Sequence, residues 1–179
     1  MQVQRSVFKN YCELKMKEGE YMNKTLVTYF SCTGDTKLVA EKINNIVQGT
    51  LYEIIPEAPY TKEDLDWTNK NSRTSIEMAD NYSRPAIKNT LKNMDEYNTI
   101  YLGFPIWWYI APKIINTFLE SYNFKNKKLV IFCTSGSSAI TNAYDKLKEQ
   151  YPYNFILWNK LLTSITDDEI KDCIKNFKN

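Results

Sequence analysis

Histidine is missing from all 179 residues of the chain. Its absence removes the Ser-His-Asp triad, the Cys-His nucleophile pair, HExxH zinc chemistry and any imidazole proton shuttle. Glycine is scarce, with 5 residues, below the usual share of about 7%. Neither a GxGxxG fingerprint nor a GxxxxGK[ST] phosphate loop occurs, so the dinucleotide-binding and P-loop NTPase classes lose their signature. The four cysteines, Cys12, Cys32, Cys133 and Cys173, form no CxxC and no metal-ligand spacing, so reduced thiols and no metal are expected. No apolar run approaches the ~18 residues that span a bilayer, and the start of the chain lacks a signal peptide's apolar core. No membrane association is expected, and the expected location is cytoplasmic. No block of like charges stands out and the net charge is +2, so nucleic acid is not an expected partner.

What remains is a chain long enough for one domain with a sizeable core, 43% hydrophobic and 25% charged. Residues 1–21 differ in character from residues 22–179. They read either as an extension upstream of a native start at Met22 or as a short, poorly ordered arm. Residues 22–179 form the domain proper. Within it, residues 26–30 (LVTYF) make a short apolar run with no polar alternation, the pattern of a strand buried on both faces. Val39, Ile43, Ile46 and Val47 then fall on one helical face, with Gly49 placed as its C-terminal cap. Residues 51–55 are a second strand.

The connection over residues 56–98 is longer than such links usually are, and it is expected to carry a helical turn at 61–65 and a longer helix over 86–94. Regular structure then resumes. Residues 99–104 and 128–133 are strands, with a helix between them that has Pro112 in its first turn and Ile114, Ile115, Phe118 and Leu119 as its stripe. A helix from Ile140, a fifth strand over 154–162 and a last helix complete the pattern. The last helix opens on the capping box Thr166-Asp167-Asp168-Glu169, with Ile170, Cys173, Ile174 and Phe177 inward. Alternating strands and helices, with strands apolar on both faces, predict a doubly wound parallel sheet with helices on both sides. Right-handed crossovers place every strand's C-terminal end on one edge.

Three strand ends are unlike the rest of the chain: SCTGDT, FPIWWY and TSGSS. In open α/β sheets ligands bind beyond the carboxyl ends of strands. In the first loop Ser31, Thr33 and Thr36 offer hydroxyls, and Gly34 allows a bend that lets amides converge at a helix N-terminus, a cradle for phosphate without lysine or arginine. The competing reading makes Asp35 or Thr36 a plain helix cap. In the second loop two tryptophans and a tyrosine cannot all enter one core. One ring at least is expected at the surface or over a planar ligand, although Trp107 or Trp108 packing under the sheet edge is equally natural for an aromatic.

These three motifs, in this order, resemble the flavodoxins of the branch whose second flavin loop reads PIWW. The [ST]xTGxT pattern appears as Ser31-Cys32-Thr33-Gly34-Asp35-Thr36. The second motif is Phe104-Pro105-Ile106-Trp107-Trp108, followed by Tyr109, and the third is Cys133-Thr134-Ser135-Gly136-Ser137. The resemblance runs from Lys24 to the C-terminus. It implies a flavodoxin-like sheet of five parallel strands in the order 2-1-3-4-5 and non-covalent flavin mononucleotide (FMN). The phosphate would sit on residues 31–36 and the ring system between Pro105, Ile106, Trp107, Trp108 and Tyr109 on one side and Thr134, Ser135, Gly136 and Ser137 on the other. A stretch from Asp64 to Arg73 also resembles this branch; Arg73 there serves either the cofactor or a structural ion pair.

The function this implies is an electron carrier shuttling single electrons between redox proteins. The chemistry belongs to the cofactor, so no catalytic side chain is needed. An assumed ~12 Å between phosphate and ring and an effective dielectric constant of ~20 give roughly 1.4 kcal/mol, about 60 mV, per phosphate charge against a reduced, anionic ring. A low second potential is expected, with Lys37 the nearest counter-charge. Two departures stand out: Tyr109 occupies a place where relatives commonly carry a small residue, and residues 22–179 hold 19 basic and 18 acidic side chains where carriers are usually acidic. Docking would then rest on a local acidic patch such as Glu63, Asp64 and Asp66. The alternative on the same fold is an NAD(P)H-dependent quinone or flavin oxidoreductase. A receiver-type signalling domain would want acidic residues for Mg²⁺ where Phe30-Ser31-Cys32-Thr33 stand.

Overall fold

A computed structural model describes residues 24–177 except Ser137 and Ser164. The expectation for residues 1–21, the site assignment of Ser137 and the side chain of Phe177 lie outside the described residues.

Each strand buries alternate residues against opposite layers, which is why none shows polar alternation. In β1 (Lys24–Tyr29) Leu26 faces one layer and Val27 the other. In β3 (Tyr97–Pro105) Ile100, Leu102 and Phe104 take the first side and Tyr101 the second. In β4 (Lys128–Thr134) Leu129, Ile131 and Cys133 are opposed by Val130 and Phe132. With β2 (Thr50–Glu53) and β5 (Asn154–Leu161) these form one parallel sheet in the order β2-β1-β3-β4-β5, as expected.

One face is covered by α1 (Asp35–Val47) and the last helix, and the other by two helices between them in sequence. Helix α1 ends on Gln48, whose φ of 53° makes it, rather than Gly49, the left-handed residue. Residues 86–94 are not a helix. Pro56 and Ile87 form an antiparallel bridge, Glu57 N–H donates to Ala86 O at 2.8 Å, and Lys88 N–H donates to Ile55 O at 2.8 Å. Asn89 extends this edge: its Nδ2 donates to Glu53 O at 2.7 Å and its Oδ1 accepts from Ile55 N–H at 3.1 Å. An extended segment that completes the edge of the β2 side outcompetes its own weak helical pattern. The connection's helix is α2 (Arg73–Ala79), where Ser72 caps by accepting the Ser75 N–H.

Helix α3 (Lys113–Ser121) takes Pro112 as its N-cap rather than within its first turn, and buries Ile114, Ile115, Phe118 and Leu119 completely. Helices α4 (Ile140–Gln150) and α5 (Asp167–Phe177) complete the layers. At the start of α5 the expected capping box forms: Thr166 N–H donates to Glu169 Oε2 at 3.0 Å, and Glu169 N–H donates back to Thr166 Oγ1 at 3.3 Å. Among the described residues no helix is long and apolar enough to cross a membrane, and no cluster of acidic residues and cysteines could hold a metal ion. Gly103 is fixed by packing, since a Cβ there would stand 2.1 Å from Phe132 Cζ across the β3–β4 pair.

Candidate functional site

The order of the sheet reverses at β1, whose neighbours β2 and β3 lie to either side. The loops leaving β1, β3 and β4 therefore meet at one edge, where such sheets place their ligands. They enclose a cavity of about 690 Å³, within the usual range for a small-molecule or cofactor site.

The first loop presents a helix start that no side chain closes. The N-cap of α1 is Gly34, at φ 96° and ψ −16°, and no side-chain hydrogen bond caps the first turn. The simple-cap reading of Asp35 or Thr36 therefore does not describe this turn. Asp35 instead accepts the Thr33 hydroxyl proton at 2.6 Å, while Ser31 Oγ accepts the Gly34 N–H at 3.1 Å and sets the bend. The leading amides of a helix have no intrahelical acceptor, so they and the positive end of the helix dipole are left to an outside anion. Cys32 and Thr33 line the cavity. Thr36 lies behind it, buried, with its hydroxyl 2.7 Å from that of buried Thr134. This pair fastens the first loop to the end of β4.

The second loop is a two-residue hairpin. Trp107 N–H donates to Ile110 O and Ile110 N–H to Trp107 O, both at 3.0 Å. Between them Trp108 and Tyr109 have φ of 46° and 67°. A turn with two positive φ values usually carries Asn-Gly; two aromatics there hold about 1–2 kcal/mol of strain each. The three rings divide as their burial dictates. Trp107 packs edge-on against Phe30 at 5.5 Å and Tyr60 at 5.4 Å. Trp108 and Tyr109 stay 41% and 63% exposed while lining the cavity with Pro105, Ile106 and Trp107.

The third loop contributes Ser135, Gly136 and Ser138 to the wall. Ser135 Oγ accepts the Ser138 N–H at 2.8 Å, and Thr163 Oγ1 donates to Ser135 O at 2.9 Å, which anchors the loop.

A profile of the flavodoxin family matches residues 24–177. The chain belongs to the flavodoxin family. Among solved structures, this flavodoxin is 45% identical to a protein of Bacteroides eggerthii that carries the name of a flavoprotein, over 87% of this chain and 98% of that one, with a TM-score of 0.84. It is 49% identical to a similarly named protein of Bacteroides uniformis, over 86% and 98% of the two chains, at 0.82. A flavoprotein of Lactobacillus acidophilus, solved in complex with FMN, is 25% identical over 76% and 90%, at 0.59. No curated protein matches.

The flavodoxin's own geometry suits a phosphorylated planar cofactor. A Cβ at Gly34 or at Gly136 would meet nothing within 4 Å, so the backbone at both loops is open to close approach. No lysine or arginine is among the described residues that line the cavity, which leaves the helix start and the hydroxyls as the anion-holding groups. Burial pushes the Cys32 thiol up to about 12, with Glu77 adding and Arg73 opposing. Cys32 is therefore uncharged at neutral pH and puts no negative charge beside the cradle.

A fourth wall of the site comes from the long connection, where Leu65 and Trp67 of the Asp64–Arg73 stretch, and Thr74 just after it, line the cavity. Short polar turns build it. Asp64 and Thr61 exchange backbone-to-side-chain bonds at 3.0 and 3.1 Å, Asp66 Oδ1 receives both Thr68 donors, and Thr74 Oγ1 donates to Asp64 O at 2.6 Å. The one signal for it is the Asp64–Trp67 stretch itself, an exposed tryptophan inside a polar turn. Arg73 is a structural residue. Its guanidinium bonds Glu77 at 2.7 Å and Ala58 O at 2.8 Å and lies 4.0 Å above the Tyr60 ring, whose hydroxyl also bonds Glu77 at 2.7 Å.

Proposed function

We propose that this flavodoxin binds FMN in the cavity and passes single electrons between redox proteins. The observation that carries the reading is the uncapped start of α1: a glycine N-cap at φ 96° beside a cavity that no cationic side chain lines among the described residues. That combination suits a phosphate ester held by amides and hydroxyls. When bound, the flavin supplies reversible one- and two-electron chemistry, and the protein sets its potential and access.

Each part of the chain has a separable task. Ser31, Cys32, Thr33, Gly34, Asp35 and Thr36 form the phosphate cradle; among them Ser31 sets the bend, and Thr36 works through Thr134 by holding the loop to β4. Pro105, Ile106, Trp107, Trp108 and Tyr109 form one wall for the ring system, and Ser135, Gly136 and Ser138 the other, with Thr134 fastening it from behind. Trp107 is braced by Phe30 and Tyr60, so the exposed faces of Trp108 and Tyr109 are the ones that shield the ring from water. The strained turn holds those two residues in place before any ligand arrives, which reduces the ordering cost of binding. The neutral Cys32 thiol adds no charge.

Partner proteins would dock where the cavity opens. Glu63 and Asp66 are exposed there, in the segment that also carries cavity-lining Leu65 and Trp67, and they give a local acidic surface to a chain of net charge +2. The second reading is an oxidoreductase on the same fold that uses the flavin directly. Purification, identification of the released chromophore and a dithionite titration test the proposal. FMN release and two separate one-electron steps support the carrier. A colourless protein that does not take up FMN overturns it, and steady NAD(P)H oxidation with a quinone by the protein alone favours the enzyme.

A further inference from the structure

A second, much smaller cavity lies beyond the hairpin of the second loop, at the start of α3. It has a volume of about 10 Å³ and is bordered by Ile110, Lys113, Asn116, Lys146 and Gln150 among others. Lys113 is only 3% exposed, and no hydrogen bond or ion pair to its ammonium is present among the described residues. It is the first residue of α3, whose Pro112 N-cap supplies no side-chain acceptor.

This arrangement is electrostatically uphill as it stands. A buried ammonium needs a partner, and the positive end of a helix is the wrong place for a cation. The surrounding charges do not repair it. Arg84 and Lys146 both act against the charged form of Lys113, and Asp80 is the carboxylate that opposes them. The other nearby carboxylates are committed: Glu120 to Arg84 at 2.8 Å and Glu149 to Lys146 at 2.6 Å. Asn116 spends its amide donors on Gln150 Oε1 at 3.1 Å and Tyr151 Oη at 2.8 Å. The neighbouring cations are thus closed in their own ion pairs, and the Lys113 ammonium is left with no side-chain acceptor bonded to it. About 10 Å³ is the space open to the centre of a water-sized sphere, room for one atom-sized occupant and too little for phosphate or sulfate.

We propose that this cavity is a halide-binding site, in which the ammonium of Lys113 and the positive end of α3 hold a single chloride-sized anion. The site is separate from the FMN cavity and does not depend on that reading. A water molecule would satisfy donors there without neutralising the charge.

The test uses the full chain. Crystals soaked in sodium bromide and measured at the bromine absorption edge should show an anomalous peak in the Lys113 cavity. In parallel, Tm in sodium chloride should exceed that in sodium gluconate of equal ionic strength, by roughly 3–6 °C at ten times the Kd. Lys113→Met should lose that difference, and Lys125→Met, at an exposed position, should keep it. Absence of the bromide peak, or a chloride effect that persists in Lys113→Met, overturns the proposal. If Lys113→Met does not fold, the bromide peak in the unaltered protein decides the matter alone.

Discussion

Replacing Gly34 by alanine separates the stability of the first loop from its binding role. Gly34 sits at φ 96°, and an added Cβ meets nothing within 4 Å. The fold therefore suffers backbone strain alone, about 1–2 kcal/mol, which lowers Tm by roughly 2–8 °C in a domain of this size. The same methyl occupies the open space over the helix start. Loss of one amide–phosphate bond, a hydrogen bond to a charged group of about 1.5–3 kcal/mol, raises the FMN Kd by roughly 10- to 150-fold. Thermal melts of the ligand-free protein read the first effect, and quenching of FMN fluorescence reads the second. Gly136→Ala is the control for strain. Its space is equally open without a positive φ, so Tm should hold. A Gly34→Ala protein with the expected fall in Tm and an FMN Kd within about twofold of the parent would refute the placement of the phosphate.

Gly103→Ala drives a methyl to 2.1 Å from Phe132 Cζ; urea unfolding should show a loss of about 1–3 kcal/mol, largely restored by adding Phe132→Leu. Thr36→Val leaves the buried Thr134 hydroxyl without its 2.7 Å partner. It should cost about 1–3 kcal/mol, with the Thr36→Val/Thr134→Val double variant nearer the parent; a double variant less stable than both singles would contradict the pairing. The folded protein holds the Cys32 proton to about pH 12, against an ordinary 9.0. The unfolded chain releases that proton first, so stability falls as pH rises through this window, by at most about 1.4 kcal/mol per pH unit. Cys32→Ala should flatten part of that fall between pH 9 and 11; parallel losses in both proteins would argue against it. Trp67→Ala, at a 73% exposed position on the cavity rim, should weaken FMN binding while leaving Tm in place, whereas an unchanged Kd would remove the fourth wall from the site.

The sheet was legible because its strands are apolar on both faces, a pattern that points to a covered parallel sheet. The three loops were legible as motifs, and the structure brings Cys32, Thr33, residues 105–109, Ser135 and Gly136 to one cavity. The hairpin at Trp108 and Tyr109 was not legible, because no propensity places two aromatics at positive φ. Residues 86–94 misled because an edge strand partner and an amphipathic turn share short apolar spacing, and the choice fell to long-range bonds from Asn89 to residues 53 and 55. The Asp64–Arg73 stretch was legible as a resemblance but not as a wall of the site: the place of Trp67 on the cavity depends on the turns at Asp64 and Asp66, whose direction is set only in three dimensions.

Comparing riboflavin with its 5′-phosphate in a single fluorescence titration addresses the central claim most directly, since the two ligands differ only in the group assigned to the start of α1. Several charge-assisted bonds should make the phosphorylated form bind at least ~100-fold more tightly. Equal affinity for the two, or tight binding of riboflavin alone, would contradict it.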